Sequence, residues 1–195
     1  MSIFYIYLQL GFEHIIDLTA YDHILFIITL CAVYLFKEWK HVIILVTAFT
    51  IGHSITLALA SLNFLMINPK LIEFLIPLTI FITAVANILT KKTEYSTTLH
   101  RFKYFTALIF GLVHGLGFSN YLKSLLGTQQ SIIKPLLAFN LGLEIGQLII
   151  VLAILGMASI MITVLKSKKR EWTLVLSGAG LGISLILMFE RSGLF

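Results

Sequence analysis

Six apolar runs, at about residues 20–36, 41–63, 71–90, 104–122, 132–165 and 172–190, follow one another with only short polar connections between them. A hydrocarbon core about 30 Å thick needs ~17–25 apolar residues to cross as a helix, because backbone amides in lipid must be satisfied within the segment itself. The runs therefore predict an all-α integral membrane protein, a bundle of about six transmembrane helices forming one polytopic domain over residues 1–195 with the lipid bilayer as its solvent. The opening MSIFYIYLQLGF is too short to span and lacks the basic start of a secretory signal, so it predicts a short interfacial or partly inserted segment. The fifth run would be ~51 Å long at ~1.5 Å per residue. It is expected to tilt, kink or begin outside the membrane, with Gly142 and Gly146 as the places to bend.

Charge supports the same class. Only 12% of residues are charged, against about 25% in a soluble domain. The net charge of +5 does not mark a nucleic-acid partner, because the lysines and arginines sit in short loops between apolar runs. Ten lie after the first, third and fifth runs: Lys37, Lys40, Lys91, Lys92, Arg101, Lys103, Lys166, Lys168, Lys169 and Arg170. The other four are Lys70, Lys123, Lys134 and Arg191. The positive-inside rule puts the ten in the cytoplasm and both termini outside, as expected in a bacterial inner membrane. The single cysteine, Cys31, lies in an apolar run and has no partner for a disulfide within the chain.

Against this background the ionisable residues inside the runs are the functional signal. Each costs ~2.5–3.5 kcal/mol at the centre of a membrane helix, so several at one level point to a site. With the orientation above, His53, His114 and Glu144 fall ~15 Å below the outer boundary, and Asp22 and His23 lie shallower. Asp22-His23 at a helix start offers a carboxylate and an imidazole, either as direct ligands or with Asp22 holding the His23 ring; the alternative for Asp22 is a helix cap. His14 and Asp17, just upstream, are candidates for the same site or for a wet loop.

His53 lies beside a polar stripe of Thr47, Thr50, Ser54 and Ser61, and His114 sits among Gly111, Gly115 and Gly117, whose missing side chains leave room for a pocket or for a close neighbour. Asn140, Glu144 and Gln147 share one helical face, where Glu144 is either a ligand or a protonated acid bonded to its neighbours. Imidazoles with carboxylates suit zinc, nickel, cobalt or copper, whereas calcium and magnesium require more oxygen ligands. The expected ligand is thus a divalent transition metal ion, zinc or nickel first, held by His14, Asp17, Asp22, His23, His53, His114 and Glu144.

Four segments, GFEHIIDLTAYDHILFI, FTIGHSITLALA, GLVHGLGFS and FNLGLEIGQ, together resemble the HupE/UreJ family, named from hydrogenase and urease accessory genes and regarded as nickel or related metal permeases. In the better-described nickel permease branch five residues separate a histidine from the Asp-His pair; here seven separate His14 from Asp22. The resemblance implies transport of a divalent ion, with His14, Asp17 and Asp22 collecting it and His23, His53, His114 and Glu144 holding it. Ligation requires deprotonated ligands, which would couple ion movement to protons. The inner halves of the helices offer only Cys31, Asn87, Ser159 and Thr163 as a release route. That leaves two rival readings: an intramembrane zinc-dependent hydrolase acting on a lipid or peptide with Glu144 as general base, and a metal-binding accessory protein that does not transport. The sequence names no protein partner.

Overall fold

In the computed structural model, which describes residues 2–90, 97–126 and 132–193, the described residues form helices and connecting turns with no strand. The helices are α1 (Ile3–Ile16), α2 (Asp22–Cys31), α3 (Trp39–Ser61), α4 (Pro69–Leu89), α5 (Thr97–Leu126), α6 (Ile133–Ser159) and α7 (Lys169–Arg191). Among the described residues five segments, not six, are long and apolar enough to cross a membrane: Phe36–Ser61, Pro69–Leu89, Lys103–Leu125, Ile133–Val164 and Lys169–Arg191.

The run at 20–36 is the departure from expectation. It folds as the ten-residue α2, followed by a turn and the single 3-10 turn Phe36–Glu38. Side chains from other helices take its last carbonyls. Asn87 donates to the Thr29 carbonyl at 2.8 Å, and Thr173 donates to the Ala32 carbonyl at 3.0 Å. Carbonyls capped in this way leave the helix no reason to continue. The N-terminal segment, expected to be interfacial or partly inserted, is a helix too short to span. It forms α1, fourteen residues long, with Tyr7, Gly11 and Ile15 buried in the bundle. α1 stops where the Asp17 carboxylate accepts the Thr19 amide at 2.8 Å and the Thr19 hydroxyl at 2.7 Å, a local turn that competes with the helix.

Two glycine seams set the helix pairing. Along α3 and α5, Gly52 faces the backbone of Leu108 and Leu112, Gly111 faces that of Phe49, and Gly115 faces that of His53. The residue numbers rise together, so these helices run parallel. Along α1 and α6, Gly11 meets the backbone of Phe139, and Gly142 meets that of Leu8 and Phe12. This pair is also parallel, and at both seams a Cβ would collide with main chain, leaving no side chain that can move aside. Gly142 and Gly146 therefore seat α1, and α6 runs unbroken through them. The irregularity of this long segment comes instead at Ile160–Val164, where one wide π-helical turn precedes its end.

α4 and α7 run antiparallel, with α2 against them. α4 begins at Asn68, whose side chain accepts the Lys70 amide at 3.0 Å, followed by Pro69 in the first turn. At its other end Arg170 donates to the carbonyls of Asn87 and Thr90 at 3.1 Å and to that of Ile88, a cationic cap on carbonyls without helical partners. Lys169 pairs with Glu38 at 3.3 Å, and Lys103 lies 5.0 Å over the Tyr34 ring. These contacts gather Lys37, Lys103, Lys169 and Arg170 at one end of the bundle, the basic face.

Candidate metal centre

Four histidines converge in the half of the bundle away from the basic face. His14 lies in the last turn of α1 and His23 in the first turn of α2, on either side of the break at residues 17–21. That break brings residues nine apart in sequence to a ring separation of 4.6 Å. His53 stands on α3 eight residues before its end, ~12 Å along the axis. Its ring is 6.3 Å from both His14 and His23. His114 of α5 is 5.2 Å from His23. Because α3 and α5 run parallel with backbones in contact, His53 and His114 are held at matching heights.

One nitrogen from each of His14, His23 and His53 lies within 4.8 Å of the other two. Tetrahedral coordination at about 2.0–2.1 Å would bring such nitrogens to roughly 3.3 Å from one another, a closure that side-chain rotation supplies. The donor atoms are otherwise idle. Nε2 of His14, His23 and His114 and both ring nitrogens of His53 are buried without a well-formed hydrogen bond, although Asn140 lies alongside His53. Buried polar atoms are nearly always paired, so a cluster of unpaired ones asks for a ligand.

The second nitrogen is already oriented in His114. His114 Nδ1 lies 2.8 Å from the Phe110 carbonyl, which fixes its proton there and leaves Nε2 with the lone pair. His23 Nδ1 lies 3.3 Å from Asp22 Oδ1, an electrostatic contact without hydrogen-bond alignment. Asp22 itself is buried. Its Oδ1 also accepts the His23 amide at 3.0 Å, and its Oδ2 accepts both Nη1 and Nη2 of Arg191 at 3.2 Å. Asp22 therefore serves as partner to His23 and to a cation, and its side chain does not cap α2 beyond that first amide.

Phenyl rings wall the cluster. Phe118 is 4.1 Å from His14, Phe49 is 5.0 Å and Phe26 5.4 Å from His114, and Phe139 stacks on His53 at 6.2 Å. These residues did not stand out in the sequence, yet Phe49 precedes His53 and Phe118 follows His114 by four positions, one helical turn on the same face. They confine the site on these sides. One side remains open: a groove lined by Glu13, His14, Asp17, Phe118 and Tyr121 leads to His14 from the surface. Asp17 stands at its mouth, where hydrogen bonds from the Thr19 side chain and backbone hold its carboxyl below the ordinary range.

Glu144 is placed differently from the histidines. It accepts the Thr47 hydroxyl at 2.8 Å and is not in the group of mutually close ligand atoms. One turn on, Gln147 accepts the Thr50 hydroxyl at 2.7 Å. The shared face of Asn140, Glu144 and Gln147 is thus turned toward α3, and two of its three members fasten α6 to that helix.

Residues 1–191 match the family described as HupE / UreJ protein. No curated protein and no solved structure matches the chain. With a match over essentially its full length, the chain belongs to the HupE/UreJ family.

Proposed function

We propose that this protein moves a first-row divalent ion, nickel or zinc, across a bacterial inner membrane, with the ion resting on His14, His23 and His53 and with His114, its ring 5.2 Å from that of His23, beside them as the fourth imidazole. The carrying observation is the set of buried, unpartnered imidazole nitrogens contributed by four helices, that of His114 pre-oriented by the Phe110 carbonyl. An all-imidazole donor set suits nickel, zinc, cobalt and copper, and Cys31 offers no thiolate beside it. The ion arrives along the groove past Glu13 and Asp17, whose carboxylates attract it. His14, at the inner end of that groove, is the first imidazole it meets. The distribution of Lys and Arg supports both chain ends lying outside the cytoplasm, and α1 and α7 bring their free ends to the face opposite the basic one.

Transport is favoured over hydrolysis by the position of Glu144. A general base must reach water activated at the metal, and this carboxylate is engaged by Thr47 outside the imidazole group. The test is uptake of 63Ni2+ or 65Zn2+ into proteoliposomes together with metal content of the purified protein. Flux and about one bound ion per chain, both lost in His53→Ala, are the expected result. Properly inserted protein that binds the ion yet passes none would leave an accessory role in place of transport.

A further inference from the structure

Arg191 closes α7 where the sequence alone would leave it in solvent, yet it is tied to two other helices. Nη1 and Nη2 both donate to Asp22 Oδ2 at 3.2 Å, and Nη1 also donates to the Glu73 carbonyl at 3.2 Å. That carbonyl is free for a reason written in α4. Pro77 stands four residues after Glu73 inside the helix and has no N–H to return to it. A proline in α4 thus builds a seat for a guanidinium at the end of α7, beside Asp22, the carboxylate that, among the described residues, lies against a cluster histidine.

We propose that Arg191 is a resident cation that occupies the Asp22 carboxylate in the ion-free protein and yields it when a divalent ion enters the histidine group. This rests on the metal-binding reading above. Asp22 Oδ1 faces His23 Nδ1 and Oδ2 faces Arg191, so one carboxylate is shared between the cluster and the clasp. A divalent charge arriving on His23 and a guanidinium on Asp22 repel each other across a largely buried site, where like charges are weakly screened. As the ion binds, Asp22 turns its charge toward the His23–metal unit. Arg191 then remains held by the Glu73 carbonyl alone. Arg191 in this scheme is a positioning residue that lowers ion affinity and so permits release.

Titration of the purified full chain with Co2+, read by its visible d–d absorption, tests this. Arg191→Met is expected to tighten Co2+ binding by about tenfold, because Asp22 becomes an unpaired anion beside the site. Arg191→Lys, which keeps the charge, should stay within about twofold of the wild type. Adding Asp22→Asn to Arg191→Met should abolish the tightening. In the wild type, hydrogen exchange should show the last turn of α7 losing protection when Co2+ binds, a readout independent of any variant's folding. Unchanged or weaker binding in a cooperatively melting Arg191→Met protein, or undiminished α7 protection on Co2+ binding, would overturn the clasp while leaving the metal site standing. A wild-type protein that binds no Co2+ would overturn both.

Discussion

Two of the buried polar clusters among the described residues are built on opposite plans. Toward the basic face, Asn87 donates to the Thr29 carbonyl at 2.8 Å and to the Ser177 hydroxyl at 3.2 Å, Thr173 reaches Ala32, and Arg170 takes the end of α4. Each of these side chains is spent on a neighbouring helix. Toward the other face, His14, His23, His53 and His114 crowd together with at least one ring nitrogen each left unpaired. Both clusters draw on α2 and incur the cost of burying polar atoms. The first recovers it in helix–helix hydrogen bonds, whereas the second is left to recover it from something that enters. Polarity inside a membrane bundle therefore does not locate a site, nor does a lone unpaired atom such as Trp172 Nε1, but several unpaired donors converging from different helices point to one.

The sharpest way to break this contrast is to remove one member from each side. His53→Ala should lower affinity for Zn2+ or Co2+ by about a hundredfold or more, since even outer partners of ligands cost 10–100-fold. Relieved of a buried, unsatisfied imidazole, the ion-free protein should melt no lower than the wild type by more than the cavity left behind. Asn87→Ala should do the reverse, lowering stability by about 1 kcal/mol, in the range of hydrogen bonds between membrane helices, with ion affinity unchanged. Calorimetry of binding and thermal melts in detergent separate the two. Equal loss of affinity in both variants would erase the distinction.

The glycine seams supply the next largest effect. Gly111→Ala places a Cβ on the Phe49 carbonyl and must push α5 from α3, which carries His53 one turn beyond. A loss of about 2–3 kcal/mol is expected, as in other overpacked cores, with weakened ion binding alongside. Gly178 on α7 has nothing within 4 Å of such a Cβ, so Gly178→Ala should be neutral or stabilising by about 0.5–1 kcal/mol. A paired melt of these two variants separates close approach from helix propensity.

The sequence showed the membrane class through its apolar runs and the histidines through their misfit to those runs. Asp22-His23 also stood out, as a carboxylate next to an imidazole at a helix start, although a helix cap remained open for Asp22. What lay beyond reach was relative placement. Residues 3–16 are as apolar as a span but shorter, and hydropathy cannot register that Gly11 fits Phe139, and Leu8 fits Gly142, on a helix more than a hundred residues away. The break at 17–21 is likewise set by Asp17 bonding Thr19, a local contest that apolar counting averages away, and without it His14 and His23 cannot meet. Arg191 entered the sequence reading only as one of four cations away from the basic loops, because its seat depends on Pro77 of another helix. The phenyl walls were hidden for a simpler reason: fifteen phenylalanines in a membrane protein look like lipid-facing bulk until neighbours are known.

Glu144 tests how far periodicity alone can assign a role. Its i, i+4 and i+7 companions Asn140 and Gln147 were expected on one face, and they are, but the direction of that face is decided by α3. Asn140 lies alongside His53, whereas Glu144, one turn deeper, is met by Thr47. A ligand carboxylate would lose both its charge and its coordination on conversion to an amide. A carboxylate that fastens α6 to α3 keeps its acceptor oxygen, and Glu144→Gln still receives the Thr47 hydroxyl. Zn2+ or Co2+ affinity in Glu144→Gln should therefore stay within about fivefold of the wild type, the residue of a long-range attraction weakened by distance. A fall approaching that of His53→Ala would instead bring Glu144 to the ion and restore it to the donor set. Thr47→Val completes the comparison. It strips the carboxylate of its partner without touching any histidine, and it should cost stability, by about 1 kcal/mol, while leaving the d–d spectrum of bound Co2+ unaltered.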